Sequence, residues 1–211
     1  EIKIFGLDPA TKYMYRVICG DRAMEFSFKT APKKGSRKPF TFAYTSDSRE
    51  GQGGGERSFF GVNSYIMRKM MALATQQNIA FMQFSGDLIN GYLCNKGETN
   101  LQYANWKRTV EPYNHYFPVY TTMGNHEALV YKFFDTQDHS KYYIDKFPFE
   151  TESSERVFAD NFVNPENGPD SEDGSKYDPK KRTTDFPSYK ENVYYYMYDN
   201  VAVVVLNSNY W

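Results

Sequence analysis

The sequence predicts an α/β fold with a parallel sheet, preceded by a short all-β segment. Before residue 33, apolar residues alternate with period two. After residue 40, short apolar runs alternate with stretches of helical spacing, the pattern of strand, helix, strand. Three of the short runs end in polar, metal-capable residues. Loops at the carboxyl ends of parallel strands are where α/β folds collect ligands.

From Ile2 to Ala31, Tyr13, Tyr15 and Val17 share one face, and Phe26 and Phe28 share another. Turn signals at Asp8-Pro9-Ala10 and Gly20-Asp21-Arg22 divide the stretch into two or three antiparallel strands. Residues 33–39 are basic and carry Gly and Pro, as a linker does. The second unit, 40–211, opens on a strand at Phe40–Thr45 that ends in Ser46-Asp47-Ser48-Arg49. Gly51–Gly55 reads as a loop; no GK[ST] follows it, so it is not a nucleotide loop. Ser58–Gln77 reads as a helix with Ile66, Met70 and Leu73 on its apolar side, and Met67, Met70 and Met71 read as core. Ile79–Phe84 is a strand ending in Gly86-Asp87, Asn100–Val110 a helix, and Phe117–Thr121 a strand ending in Gly124-Asn125-His126-Glu127. Lys141–Asn192 is polar and aperiodic, and is expected as a long surface excursion. Val193–Tyr198 and Val201–Leu206 flank Asp199-Asn200 as a hairpin, the second strand apolar enough for burial on both faces.

Composition removes several functions. The net charge of −1 leaves no basic face for non-specific nucleic-acid binding. No apolar run approaches the roughly 18 residues of a membrane span. Cys19 and Cys94 are too few for a disulfide scaffold and form no CxxC pair; they read as small buried side chains, with a single bridge open in an oxidising compartment. The 19 Tyr and 17 Phe are in keeping with short, half-wet strands.

Asp47, Asp87 and Asn125 lie about 40 residues apart, one strand–helix–strand unit each. Such spacing brings them to one edge of the sheet. Two carboxylates and an amide oxygen suit a hard divalent or trivalent cation, and a central carboxylate such as Asp87 is placed to bridge two ions. A Gly-Asp pair alone is a common turn. A GNHE tetrapeptide is rarer, expected by chance in about one chain of this length in a thousand.

Taken together, Asp47, Gly86-Asp87 and Gly124-Asn125-His126-Glu127 resemble the calcineurin-like metallophosphoesterases, within them the purple acid phosphatase branch. Phe158–Pro165, Tyr194-Tyr195-Tyr196 and Val203–Ser208 are similar to that branch too, and Leu7–Val17 resembles the late strands of a fibronectin type III-like domain, with Tyr13 as its tyrosine corner. The resemblance implies a partial metallophosphoesterase-type α/β sandwich over 40–211, preceded over 1–32 by the end of a fibronectin type III-like module. It implies hydrolysis of a phosphate mono- or diester through a metal-bound hydroxide, with two metal ions drawn from Fe, Mn, Zn or Mg. Asp47 would bind the first ion, Asp87 both, and Asn125 the second. His126 would stabilise charge or protonate the leaving oxygen, Glu127 would orient His126, and Arg49 would meet the phosphate. The branch's metal-binding tyrosine, three residues past the bridging Asp, is replaced by Asn90; Tyr92 takes that role if the loop bulges. The histidine many members carry two residues after the first Asp is here Arg49, so a non-purple or altered metal is expected.

His115 and His139 read as packing or surface residues. The branch's later histidines do not occur before Trp211, so the chain is expected to be a piece of a longer, extracytoplasmic or secreted protein, and activity to belong to the intact protein. The rival reading is a non-catalytic binding module that keeps the fold.

Overall fold

The computed structural model describes residues 2–50, 59–93, 95–128, 130–132, 143–144, 151, 153–169 and 188–208. Strands β1 (Lys12–Cys19) and β2 (Arg22–Lys29) form an antiparallel hairpin, with Tyr13 opposite Phe28 and Tyr15 opposite Phe26. Those facing aromatics stack at 5.7 and 5.4 Å, the cross-strand contact that stabilises a two-stranded ribbon. The Asp8 N–H donates to the Tyr13 hydroxyl at 2.8 Å. Cys19 is free and exposed, not buried as expected; Cys94 lies outside the described residues.

The second unit is built on three short parallel strands in the order β3 (Ala43–Thr45), β4 (Met82–Phe84), β5 (Val119–Thr121). Two helices make the crossovers: α1 (Ser64–Gln76) and α2 (Lys96–Asn114). Each starts on an asparagine whose side chain accepts backbone N–H groups of the first turn: Asn63 from Ile66, and Asn95 from Gly97 and Glu98. The buried stripe of α1 is Met67, Met71 and Ala74, while Ile66 and Leu73 are exposed. Met67 and Met71 are buried as read from the sequence and Met70 packs against the core, whereas Ile66 and Leu73 fall off the covered stripe. Adjacent stripes on a helix have the same spacing, and the neighbouring α2 and β4 decide which is covered. Met82 and Phe84 of β4 join Met67, Met71, Tyr103 and Trp106 in one core.

Val157 and Phe158, on α3 (Ser154–Asn161), belong to the same core. This corrects the surface reading of 141–192: a polar stretch contains a core helix, because two buried apolar side chains on eight residues leave little periodic signal. Two further short strands, β6 (Val130–Lys132) and β7 (Tyr143–Ile144), pair antiparallel.

Hairpin strands β8 (Tyr194–Tyr198) and β9 (Val201–Val205) cover the opposite side, where Phe81, Tyr194, Tyr196 and Val205 form a second core. Tyr196 donates its hydroxyl to Gln83 Oε1 at 3.0 Å, and Gln83 Nε2 donates to Thr122 Oγ1 at 2.9 Å, so a buried amide is satisfied on both sides. Strand β9 is buried on one face only; Val204 is 66% exposed. Its unbroken apolar run had implied two covered faces. Asp199, in the β8–β9 turn, accepts from the Ser36 hydroxyl and from the N–H groups of Arg37 and Lys38, tying the linker to the hairpin.

Candidate functional site

Strands β3, β4 and β5 run parallel, so the loops after them open at one end of the sheet. Asp47, Asp87 and Asn125, with Gly86 and Gly124, line a single cleft of about 520 Å³ there. Strand β9 closes one wall through Val203 and Val205. A larger hollow of about 720 Å³ lies elsewhere, against Phe28, Phe40, His115 and Tyr116, and contains none of the three candidate ligands.

Both aspartates leave their strands through a left-handed turn, at φ 58° for Asp47 and 54° for Asp87. A side chain in that region costs energy that aspartate tolerates better than most residues. The Asp47 N–H donates to the Gly86 carbonyl at 3.1 Å, which couples the first two loops. Gly86 has φ 97°, and a Cβ there would collide with the Gly124 backbone; one at Gly124 would collide with the Asp87 carboxylate. The glycines of the Gly-Asp and Gly-Asn pairs therefore let the two loops pack directly on each other.

A buried carboxylate holds that packing. Glu127 Oε2 accepts the N–H groups of Asp87 at 2.9 Å and Gly124 at 2.6 Å, and Oε1 accepts the N–H groups of Leu88 at 2.7 Å and Ile89 at 3.4 Å. Burial pushes the Glu127 carboxyl up to about 8, with the charge of Asp87 adding to the rise; the backbone N–H groups of Gly124, Asp87 and Leu88 pull it back. Glu127 thus clamps the two loops, rather than orienting the His126 ring as the resemblance implied. The ring is instead held by the Asn90 carbonyl, 2.5 Å from Nδ1. Nδ1 carries the proton in that bond, and Nε2 lies 3.9 Å from Asp87 Oδ2. The His126 backbone N–H donates to Asp87 Oδ1 at 3.1 Å.

Arg49 Nε stands 3.7 Å from Asp87 Oδ2. The loop after β4 does bulge: Gly91 and Tyr92 both have positive φ. It brings the Tyr92 ring 4.5 Å from His126, and its hydroxyl accepts from Asn125 Nδ2. With Nδ2 so engaged, Asn125 Oδ1 is the atom left to meet a cation. Tyr92 is not among the residues lining the cleft. His115 packs at 5.0 Å on Phe26 and 4.0 Å on Tyr116, away from the candidate ligands, as a packing residue would; His139 lies outside the described residues.

Three supporting residues escaped sequence reasoning. Ser48 donates to the Leu88 carbonyl at 2.9 Å and accepts from Trp106 Nε1 at 2.9 Å, joining the β3 loop, the β4 loop and α2 through one buried hydroxyl. Gln102 Oε1 accepts the Gly91 N–H at 2.9 Å. A serine beside an aspartate and a tryptophan on a helix carry no signal of such contacts. They emerge only from the packing of α2 beneath the loops.

Among the described residues, no three His, Cys, Asp or Glu side chains cluster closely enough to hold a metal ion. The cleft lining includes two carboxylates and the Asn125 amide, oxygen donors of the kind a hard cation takes. No helix among the described residues is long and apolar enough to cross a membrane.

Residues 61–201, more than half of the chain, match the model of a family described as calcineurin-like phosphoesterase. No curated protein matches the chain. Among solved structures, the purple acid phosphatase PPD1 from yellow lupin (Lupinus luteus) seeds is similar, with a TM-score of 0.49 and 16% identity. The alignment covers 92% of this chain and 29% of that one.

Proposed function

The chain belongs to the calcineurin-like phosphoesterase family, and on that premise we propose that the protein hydrolyses phosphate esters at a cation held by Asp47, Asp87 and Asn125. The convergence of these three residues, about 40 positions apart, on one cleft carries the reading. A cation bound by such oxygens polarises a phosphoryl oxygen and offsets its charge. Arg49 binds a second phosphoryl oxygen through its planar N–H groups. His126, with Nδ1–H held by the Asn90 carbonyl, presents Nε2 to the leaving oxygen and gives it a proton there. Asp87 Oδ2 lies 3.9 Å from that nitrogen. Tyr92 fixes the Asn125 amide by accepting from Nδ2.

The N-terminal hairpin is read as the last strands of a fibronectin type III-like module; the Asp8 to Tyr13 bond supports this. The intact protein is read as extracytoplasmic by the same resemblance.

Phosphate release from p-nitrophenyl phosphate and from its bis-ester tests the proposal, on the native polypeptide before and after chelation and on Asp87→Asn. Turnover should fall at least 100-fold in the variant and on chelation, and return when metal is restored to the wild type. Undiminished turnover in Asp87→Asn would contradict it, and would favour a binding module whose activity comes from elsewhere.

A further inference from the structure

We infer that Gln102 is a positioning residue: its side-chain oxygen holds the Asn90–Gly91 peptide in the orientation that aims the Asn90 carbonyl at the His126 ring. The inference rests on the proposed role of His126 and says what keeps that ring in place. Gln102 lies on α2 and is 2% exposed. Its Oε1 accepts the Gly91 N–H at 2.9 Å. The Asn90 carbonyl oxygen lies 2.5 Å from His126 Nδ1. That carbonyl and that N–H belong to one peptide unit. Such a unit is planar and trans, so its C=O and N–H point in opposite directions, and fixing one fixes the other. Gln102 and His126 therefore hold the unit by its two edges. Hydrogen bonds linked through one peptide also polarise each other, which strengthens the bond to the ring.

The unit needs holding, because its own residues let it turn over. Gly91 has φ 57°, and glycine adopts either sign of φ at little cost. A turn of the unit would break the bonds to Gln102 and to His126 together. Contacts around it favour the observed orientation. The Asn90 N–H donates to the Gly61 carbonyl at 2.9 Å. Gly61 also makes room for Gln102, since a Cβ there would lie 2.4 Å from the Gln102 side chain. A Cβ at Gly91 would lie 1.3 Å from the His126 carbonyl oxygen, so this loop packs on His126 through bare backbone. The next residue, Tyr92, accepts from Asn125 Nδ2. One short segment thus carries the contacts to His126 and to Asn125, and Gln102 fixes its middle peptide.

Nuclear magnetic resonance of the native polypeptide with isotopically labelled histidine, freed of metal by chelation, tests this. At alkaline pH, where imidazole is neutral, the His126 ring should be the Nδ1–H tautomer, its signal identified by its loss in His126→Gln. Gln102→Met is close in volume and lacks the oxygen; it should release the ring to a mixture of tautomers. Gln102→Glu restores an oxygen at the same reach and should keep Nδ1–H. Urea titration checks that both variants are folded. The Gly91 amide of the wild type should exchange slowly with solvent, a readout that needs no variant. With Mn(II) and p-nitrophenyl phosphate, kcat of Gln102→Met should fall about 10-fold at nearly unchanged KM, part of the loss expected when a general acid is misplaced. Nδ1–H kept in Gln102→Met, Nδ1–H lost in both variants, or a fast-exchanging Gly91 amide would overturn the inference. The expected tautomers in a protein that never turns over the ester would overturn the proposed hydrolysis and leave the part assigned to Gln102 standing.

Discussion

On the β4–β5 side of the cleft, Asp87 and His126 sit on loops tied by buried hydrogen bonds; on the β3 side, Asp47 and Arg49 are exposed. Glu127 alone accepts four backbone N–H groups between the two inner loops. The Asp47 side chain has one neighbour of note, the Ser46 hydroxyl that donates to it. The inner loops are held whether or not a ligand is present, as a preorganised site requires. The outer corner leaves its carboxylate and guanidinium exposed. Rigidity here follows from burial of the support, not from the ligand residues themselves.

Breaking the inner support should have the largest effect. Glu127→Ala leaves four buried N–H groups without an acceptor, and should lower unfolding stability by about 3–5 kcal/mol in a urea titration. Glu127→Gln keeps one acceptor oxygen and should cost less. Next comes Ser48→Ala, which unpairs Trp106 Nε1–H and the Leu88 carbonyl. A loss of about 2 kcal/mol is expected, seen as a lower Tm; an unchanged Tm would mean that the shared hydroxyl contributes little. Asp47→Asn sharpens the contrast. Its stability should stay within about 0.5 kcal/mol of wild type because the side chain is exposed, while Mn(II) affinity falls at least 10-fold by calorimetry. The smallest effect belongs to the far hairpin. Arg16 pairs with Glu25 across β1 and β2 on the exposed surface, and Arg16→Ala should lower unfolding stability by no more than about 0.5 kcal/mol in a urea titration.

Much of the sheet was legible because period and punctuation agree there. β4 and β5 fall inside the expected strands, and the β8–β9 hairpin lies where Asp199-Asn200 breaks two apolar runs. On α1 the methionine cluster was legible as core, while Ile66 and Leu73, counted on the same apolar side, are exposed. Helix α3 was hidden because its flanks are polar and it spans only eight residues. In the site, Asp47, Asp87 and Asn125 could be named because strand ends in a parallel sheet converge. Glu127 was visible as part of a motif, yet its work was not: a carboxylate beside a histidine looks like an orienting group until four N–H groups are found pointing at it. Ser48, Gln102 and Trp106 were not visible, since their partners are separated in sequence and set only by tertiary packing. Gly51–Gly55 lies outside the described residues.

Calorimetric titration of Mn(II) into wild type and Asp87→Asn, side by side, reaches the centre of this picture most directly. Asp87 lines the cleft, accepts the His126 backbone N–H and lies within about 4 Å of both Arg49 Nε and His126 Nε2. Saturable binding in the wild type, weakened at least 10-fold in the variant with its fold intact, is the expected result. Equal affinity in the two proteins would mean that the cation, if bound, sits elsewhere, and that these strand ends do not form the reaction centre.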